Sequence, residues 1–296
     1  MDNPPRLFKH PPKLENSKHF ERLITYPGAT LQGGLRTQGL FKHSMPNQPL
    51  VSVIMATLNS QQFLEATLQS ILNQSYSNLE LLVIDGGSTD STLQILQTHA
   101  NKIDYFMSLK DKGIAQAFNR GVRLAFGDYI NFQGDSDGFV APNALQEVMA
   151  GVQGQMLVSA RIVGVDQKGD AIYTSKYLKN FHQNLLFGKL IPHQGLLTHR
   201  DYFSTYGLFD EDLIFSMDYE FLMRCYHHPM SLIAKEHVLA RWRSGGIGTN
   251  KELEIFKEWA TIKARHQIAP PLMLKAIEKW ILAKFYIKKA LKWPKH

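Results

Sequence analysis

Asp135, Ser136 and Asp137 sit in the loop Gly134-Asp135-Ser136-Asp137-Gly138, directly after a short β-rich run, Asp128 to Phe132. Two carboxylates two positions apart on a turn can reach one hard cation. They underfill its coordination sphere, so ligand oxygens such as those of a diphosphate must complete it. With no Cys/His cluster alongside, Mg²⁺ or Mn²⁺ suits Asp135 and Asp137 better than Zn²⁺. On spacing alone the same pair also reads as solvated turn aspartates. The surroundings favour the metal reading, because Asp85 and Asp111 occupy loops of the same half of the chain.

Asp85 closes the run LELLVID at 79–85 and is followed by Gly86-Gly87-Ser88-Thr89-Asp90. A strand that ends in a carboxylate and a Gly-Gly turn builds a ligand site at the carboxyl edge of a sheet. Asp90 is placed to cap the helix expected from Ser91 to His99. The loop has no Gly-x-Gly-x-x-Gly and no Lys-Ser/Thr, so nothing in it is built to cradle a phosphate. Upstream, Leu50 to Ala56 reads as a buried strand that empties into Thr57, Leu58 and Asn59, ahead of a helix from about Gln61 to Asn73. Three strands therefore end in small and acidic residues, and each precedes a helix. That alternation predicts an α/β fold with a doubly wound sheet and the acidic loops gathered on one edge.

Beyond residue 140 the pattern is less regular. Ala144 to Met149 reads as a short helix, and Met156 to Val165 and Ala171 to Lys176 as strands around the turn 167–170. Phe181 to Thr198 reads as loop and holds Pro192-His193-Gln194-Gly195. Short and longer helices are expected over Arg200–Tyr206 and Ser216–His228, a strand over Ser231–Ala240, and a glycine-rich loop over Arg241–Asn250. Helices over Lys251–His266 and Pro271–Lys292 close the chain. Residues 1–47, rich in Pro, Gly, Lys and His, read as an extended arm packed on the main domain.

Composition narrows the function classes. The 296 residues are 44% hydrophobic, enough for a large core. The single cysteine, Cys225, falls within a helical pattern and reads as core, and its solitude suits a reducing compartment. The opening MDNPPRLFKHPP lacks the apolar core of a signal peptide, and no run approaches a transmembrane helix, so a cytoplasmic location is expected. The net charge of +7 is concentrated: residues 270–296 hold seven lysines against the single acid Glu278. The basic balance therefore marks a tail rather than a nucleic-acid groove, and no nucleic-acid partner is expected. Within 271–293, Leu274, Ile277, Ile281 and Phe285 recur at helical spacing among the lysines, with Trp280 and Trp293 as interfacial residues. A basic helix with aromatics can lie on the headgroups of an anionic membrane, here the inner face of the plasma membrane. It can equally pack on its own domain with the lysines in water.

Five segments together resemble glycosyltransferase family 2 and its GT-A fold. They are PLVSVIMATLN at 49–59, LEATLQSILNQSYSNLELLVIDGGSTDST at 64–92, DKGIAQAFNRGVRLAFGDYINF at 111–132, the D-x-D at 135–137 and GLFDEDLIFSMDYEFLMR at 207–224. The likeness is to the branch that builds bacterial surface polysaccharides. It implies a GT-A catalytic domain over 48–250, with a nucleotide half to about 140 and an acceptor half beyond, and C-terminal helices over 251–296. It also implies a nucleotide-sugar donor and a saccharide or lipid-linked acceptor. Thr57, Asp85 and Asp111 match positions that hold the base and ribose, and Asn59 lies in the same donor loop. Asp137 matches the last acid of the metal motif, and Asp218 the catalytic base. The family usually has adjacent acids where this chain has Ser136 and Asp137; here the first acid has moved to Asp135.

The chemistry of the residues fits those roles. A leaving nucleoside diphosphate needs a divalent cation, and an acceptor hydroxyl needs a carboxylate to take its proton. One base with no second carboxylate placed as nucleophile points to direct displacement with inversion. Asp218 also reads as an ordinary first-turn acid; Glu220, two residues on, points away from it on a helix. His193 and Gln194 are candidate contacts to donor phosphates or acceptor, as are Glu220 and Arg243, the latter in a loop that could close over a diphosphate. Two other readings stand beside this one. A sugar nucleotidyltransferase would need a Gly-rich, basic loop in place of Ala56-Thr57-Leu58-Asn59. A non-catalytic homologue or carbohydrate-binding scaffold would account for the shifted acid.

Overall fold

The computed structural model describes residues 6–12, 23–176, 181–188, 191–228 and 230–291. Its centre is a run of four parallel strands: β2 (Val51–Thr57), β3 (Leu79–Asp85), β4 (Tyr105–Ser108) and β5 (Tyr129–Gly134). Their spatial order is β4-β3-β2-β5. Every residue of β2 and β3 is buried, as expected for strands covered on both faces. Ile54, Leu82 and Ile84 pack on one side with Phe118 of α3 (Ile114–Leu124). Val53, Met55, Leu81 and Val83 pack on the other with α1 (Leu64–Leu72) and Leu96 of α2 (Thr92–Thr98). The period-2 alternation of the strands thus feeds two cores.

Antiparallel strands extend this unit into a mixed sheet. β1 (Leu31–Gly33), inside the expected arm, pairs with β4 at one edge. Toward the other edge, β9 (Leu196–His199) lies antiparallel between β5 and β7 (Leu157–Val165). β10 (Leu232–Arg243) runs parallel to β7, β6 (Gly138–Phe139) closes on β10, and β8 (Ala171–Thr174) pairs with β7. Shorter helices α4 (Ala144–Met149), α5 (Phe181–Leu186), α6 (Arg200–Tyr206) and α7 (Met217–Met223) cover the second half, and α8 (Glu252–Arg265) packs on α9 (Pro271–Ala290).

Three sequence expectations change. The stretch 181–198, read as loop, contains α5 and the inserted strand β9, because pairing with two distant strands outweighs the local Pro and Gly signals. The helix from 216 stops at Met223, where the chain turns to bury Cys225. Arg241 to Arg243 are the last residues of a strand, pinned to β7 and β6, not part of a free loop.

The arm is anchored by buried charge. Arg36 forms an ion pair with Glu80 in which both side chains are 1% exposed. The other oxygen of Glu80 accepts from Ser52 Oγ and from the N–H groups of Phe126 and Gly127. The Arg36 guanidinium also lies 4.0 Å over the Phe126 ring and donates to the Leu124 carbonyl. Nearby, Lys42 bridges the Leu79 carbonyl and Asp104, whose carboxyl is pushed up by burial and held back by the Lys42 charge. Residues 35–42 are therefore part of the domain rather than an appendage.

Candidate active site

The chain leaves β2 toward β3 on one side and returns to β5 on the other, so the carboxyl end of β2 is a topological switch point. Thr57 ends that strand. Around it gather the loops after β3, β4 and β5, which carry Asp85, Asp111, Asp135 and Asp137.

Asp85 is fully buried and spends its carboxylate on its own loop. It accepts from the N–H groups of Gly87 (2.9 Å) and Ser88 (3.0 Å), from Ser88 Oγ, and from Ser108 Oγ (2.6 Å). In this arrangement Asp85 shapes the Gly-Gly turn, with both carboxylate oxygens engaged within the folded loops. Gly87 needs a left-handed φ of 94°, and a Cβ on Gly86 would sit 2.7 Å from the Asp111 carboxylate. The two glycines let Asp111 close over the turn. Asp111 is half-buried, and burial raises its carboxyl above the ordinary range. Asn59, left-handed at φ 52°, ties the loops together by accepting from the Thr89 N–H at 2.8 Å. The expected cap by Asp90 is shifted: Ser91 is the N-cap and its side chain makes no capping hydrogen bond, while Asp90, one residue earlier, accepts from the Thr92 N–H at 3.0 Å.

Asp135 and Asp137 are anchored to different elements. Asp135 accepts from the Leu58 N–H and from Ser60 Oγ, on the loop after β2. Burial, opposed by those hydrogen bonds and reinforced by the charge of Asp137, raises its carboxyl. Buried Asp137 accepts from the Arg243 N–H (3.1 Å) through one oxygen, and from the Gly134 N–H (3.1 Å) and Gln194 Nε2 (2.9 Å) through the other. Among the described residues no cluster of three or more His, Cys, Asp or Glu could hold a metal ion. The protein thus offers two carboxylates that repel one another, which suits a cation whose remaining ligands come from a bound diphosphate.

Gln194 links Asp137 to the opposite wall. The preceding residue, His193, lies edge-on to Phe118 at 5.7 Å and places Nδ1 3.6 Å from Asp218 Oδ2. Asp218 occupies the first turn of α7, one-fifth exposed, and its Oδ1 accepts from the Tyr219 N–H at 2.8 Å. Glu220 is elsewhere. It is buried between Arg224, which grips it with Nε and Nη2, and His266 Nε2 at 2.9 Å. Burial pushes its carboxyl up, but these partners outweigh that and hold it below the ordinary range. Glu220 is therefore corrected from candidate ligand contact to an internal brace, because both its oxygens are already committed.

Arg243 is fixed rather than mobile. Its Nη1 donates to the carbonyls of Asp166 (2.9 Å) and Gln167 (3.0 Å), and its guanidinium lies 4.7 Å over the Phe63 ring. Its Nε is buried with no hydrogen-bond partner. A cation beside Asp137 that meets only carbonyls and a ring among the described residues is available to an anionic ligand.

Several positioning residues escaped the sequence reading. Asn131 and Gln133, fully buried on β5, donate to the Gln194 carbonyl at 3.1 Å each and hold the His193-Gln194 segment against the sheet. Asn119 of α3 clasps Phe209 by donating to its carbonyl and accepting from its N–H, which sets the approach to α7. Arg120 donates to the carbonyls of Leu109 and Lys110 and so holds the loop of Asp111. Their signals were visible: polar residues at alternate positions of an apolar strand, and Asn119-Arg120-Gly121 inside an amphipathic helix.

The family model described as Glycosyl transferase family 2 matches residues 52–215. A PGL/p-HBAD biosynthesis glycosyltransferase of Mycobacterium bovis (strain BCG / Pasteur 1173P2) is 30% identical over 203 residues, 64% of this chain and 75% of that protein. Escherichia coli chondroitin synthase is 32% identical over 182 residues, 60% of this chain and 26% of the synthase. Among solved structures, S. aureus TarS 1–349 superposes with a TM-score of 0.59 at 18% identity, covering 80% of this chain and 70% of that one. TarS has also been solved with UDP and with UDP-GlcNAc. Mannosyltransferase PcManGT from Pyrobaculum calidifontis, in complex with GDP-Man and Mn²⁺, superposes with a TM-score of 0.58 at 19% identity, covering 84% and 77%. Both are GT-A relatives in fold.

Proposed function

This chain belongs to glycosyl transferase family 2, and on that premise we propose that it is an inverting, metal-dependent glycosyltransferase of surface polysaccharide biosynthesis. It moves a sugar from a nucleotide-sugar to a hydroxyl of a saccharide or lipid-linked acceptor. The observation that carries the reading is the pairing of Asp218 with His193, whose neighbour Gln194 donates to Asp137, while Glu220 is withdrawn into an internal network.

In this mechanism Asp111 and the loop of Asn59 hold the nucleoside, with Asp85 keeping the turn in shape. Arg243 and Arg241, beside Asp137, face the diphosphate. Asp135 and Asp137 would hold Mg²⁺ or Mn²⁺, which supplies charge neutralisation for the leaving diphosphate. Asp218 Oδ2 takes the proton of the acceptor hydroxyl as its oxygen bonds to the anomeric carbon and the bond to the diphosphate breaks. His193 fixes the orientation of that carboxylate. A panel of nucleotide-sugars with Mg²⁺ and Mn²⁺, read by donor hydrolysis, tests the assignment. A chain that binds donors but never cleaves one would favour the scaffold reading.

Cation and nucleotide should bind cooperatively, because two carboxylates underfill a cation and a diphosphate completes it. Calorimetry with UDP or GDP, with and without Mn²⁺, measures this; equal affinity in EDTA would remove the metal from Asp135 and Asp137.

The membrane reading of the tail takes a different form from the sequence. Leu274, Ile277 and Ile281 pack inward on the core, and Phe285 meets Phe256 of α8 at 5.6 Å. Leu272, Met273, Ile287 and Leu291 are exposed instead, among Lys275, Lys279, Lys284, Lys288 and Lys289. Trp280 stays half-exposed against Phe187, whereas Lys292, Trp293 and Lys295 lie outside the described residues. No described helix is long and apolar enough to cross a membrane. We place this mixed apolar and basic face on an anionic lipid surface, each lysine contributing roughly 1 kcal/mol at low salt. Changing Lys279, Lys284 and Lys288 to Glu should lower cosedimentation with anionic vesicles at least tenfold. Unchanged pelleting at low salt would make the tail structural only.

A further inference from the structure

Between α8 and α9 lies a cavity of about 820 Å³, outside the crevice described above. Its walls are largely apolar, with Phe256, Ala264, Leu274 and Ile281 among them. That size and lining fall within the range of small-molecule sites, roughly 300–1,000 Å³. Three charged residues also line it: Lys263, Lys275 and Glu278. Lys275 and Glu278 are exposed at the rim, and Glu278 lies near enough to act on the Lys263 charge. Lys263 is only 4% exposed, yet among the described residues it makes no side-chain hydrogen bond or salt bridge. The contrast with Lys42 is instructive, since that other buried lysine is paired with Asp104 at 2.9 Å. The Lys263 side chain is largely covered, but its ammonium is not sealed off: it keeps accessible surface, as a lysine head normally does, and lines the groove.

We propose that the groove between α8 and α9 binds a long-chain carboxylate, with the alkyl chain against the apolar walls and the carboxylate on Lys263. The Lys263 cation, only partly offset by Glu278, attracts one negative charge, and the apolar walls select a chain. Burial lowers the Lys263 ammonium to about 8, with Glu278 opposing the shift, so the group stays mostly protonated and able to pair at neutral pH. The site is independent of the sugar-transfer reading: its residues touch none of Asp135, Asp137 or Asp218.

The test is calorimetry of the full chain with decanoate and with decan-1-ol, both below micelle formation. The expected result is one decanoate per chain, at least tenfold tighter than decan-1-ol. Lys263→Met should remove that preference and leave decan-1-ol binding intact. Its melting temperature should not fall, because the Lys263 side chain makes no hydrogen bond or salt bridge among the described residues and methionine fills a similar volume. Ala264→Phe, filling the groove, should weaken both ligands. Equal affinity for acid and alcohol, no saturable binding, or binding indifferent to both variants would overturn the proposal. So would light scattering that shows a dimer, unaffected by decanoate, which Ala264→Phe converts to monomer; the groove would then be covered by a second copy.

Discussion

With Asp218 as the proposed base, Asp218→Asn should lower kcat by roughly 10²–10⁴ and leave nucleotide affinity unchanged. The amide is isosteric and still accepts from the Tyr219 N–H, so α7 keeps its place and His193 keeps a polar neighbour. What is lost is the oxygen able to take the acceptor proton. Because the proton moves only as the new bond forms, the loss falls on turnover rather than on ground-state binding. Steady-state rates beside calorimetry with UDP or GDP separate the two. Full turnover in the variant would exclude Asp218 as base, and the exposed acid Asp212 would be examined next. Glu220→Gln makes the control, since its oxygens already serve Arg224 and His266; it should reduce stability before it alters chemistry.

Glu80→Ala costs about 3–5 kcal/mol of stability, the range for breaking a buried pair by removing one partner. Arg36 is left buried without its counter-charge, and Ser52 and the N–H groups of Phe126 and Gly127 lose their acceptor. Each orphaned buried donor adds its own penalty. The denaturant midpoint should fall at unchanged slope. A loss below about 1 kcal/mol would mean that water replaces the carboxylate.

The first part of the sheet, residues 48 to about 140, was legible in sequence because local signals and long-range pairing agree there. Leu79 to Asp85 is apolar and β-rich, its parallel partners bury both its faces, and Gly86-Gly87 marks its end. Where a side chain turns was not legible. Asp85 ends a strand and Asp111 follows one, yet Asp85 is fully buried on Ser88 and Ser108 while Asp111 stays half-exposed over the Gly-Gly turn, a choice made by hydrogen bonds within the folded loops. The part beyond residue 140 was harder because β9 exists through contacts with β5 and β7, and its own four residues carry no strong strand signal. The helical stripe of α9 was read correctly as apolar, but Leu274 and Ile277 face protein, since α8 lies alongside to receive them.

The grip of α8 on α7 bears on how this protein can be recombined with its relatives. Glu258 accepts from the N–H groups of Ile214 and Phe215, just ahead of Asp218, and Trp259 lies 5.3 Å from the Tyr219 ring. His266, at the end of α8, holds Glu220. The last two helices are thus not a portable module. A chimera joined at the glycine-rich stretch after β10, importing foreign C-terminal helices, would shift the helix that presents Asp218. Grafts meant to change only where the enzyme sits would then change its turnover as well. A workable junction would carry α7 and α8 together as one inherited block.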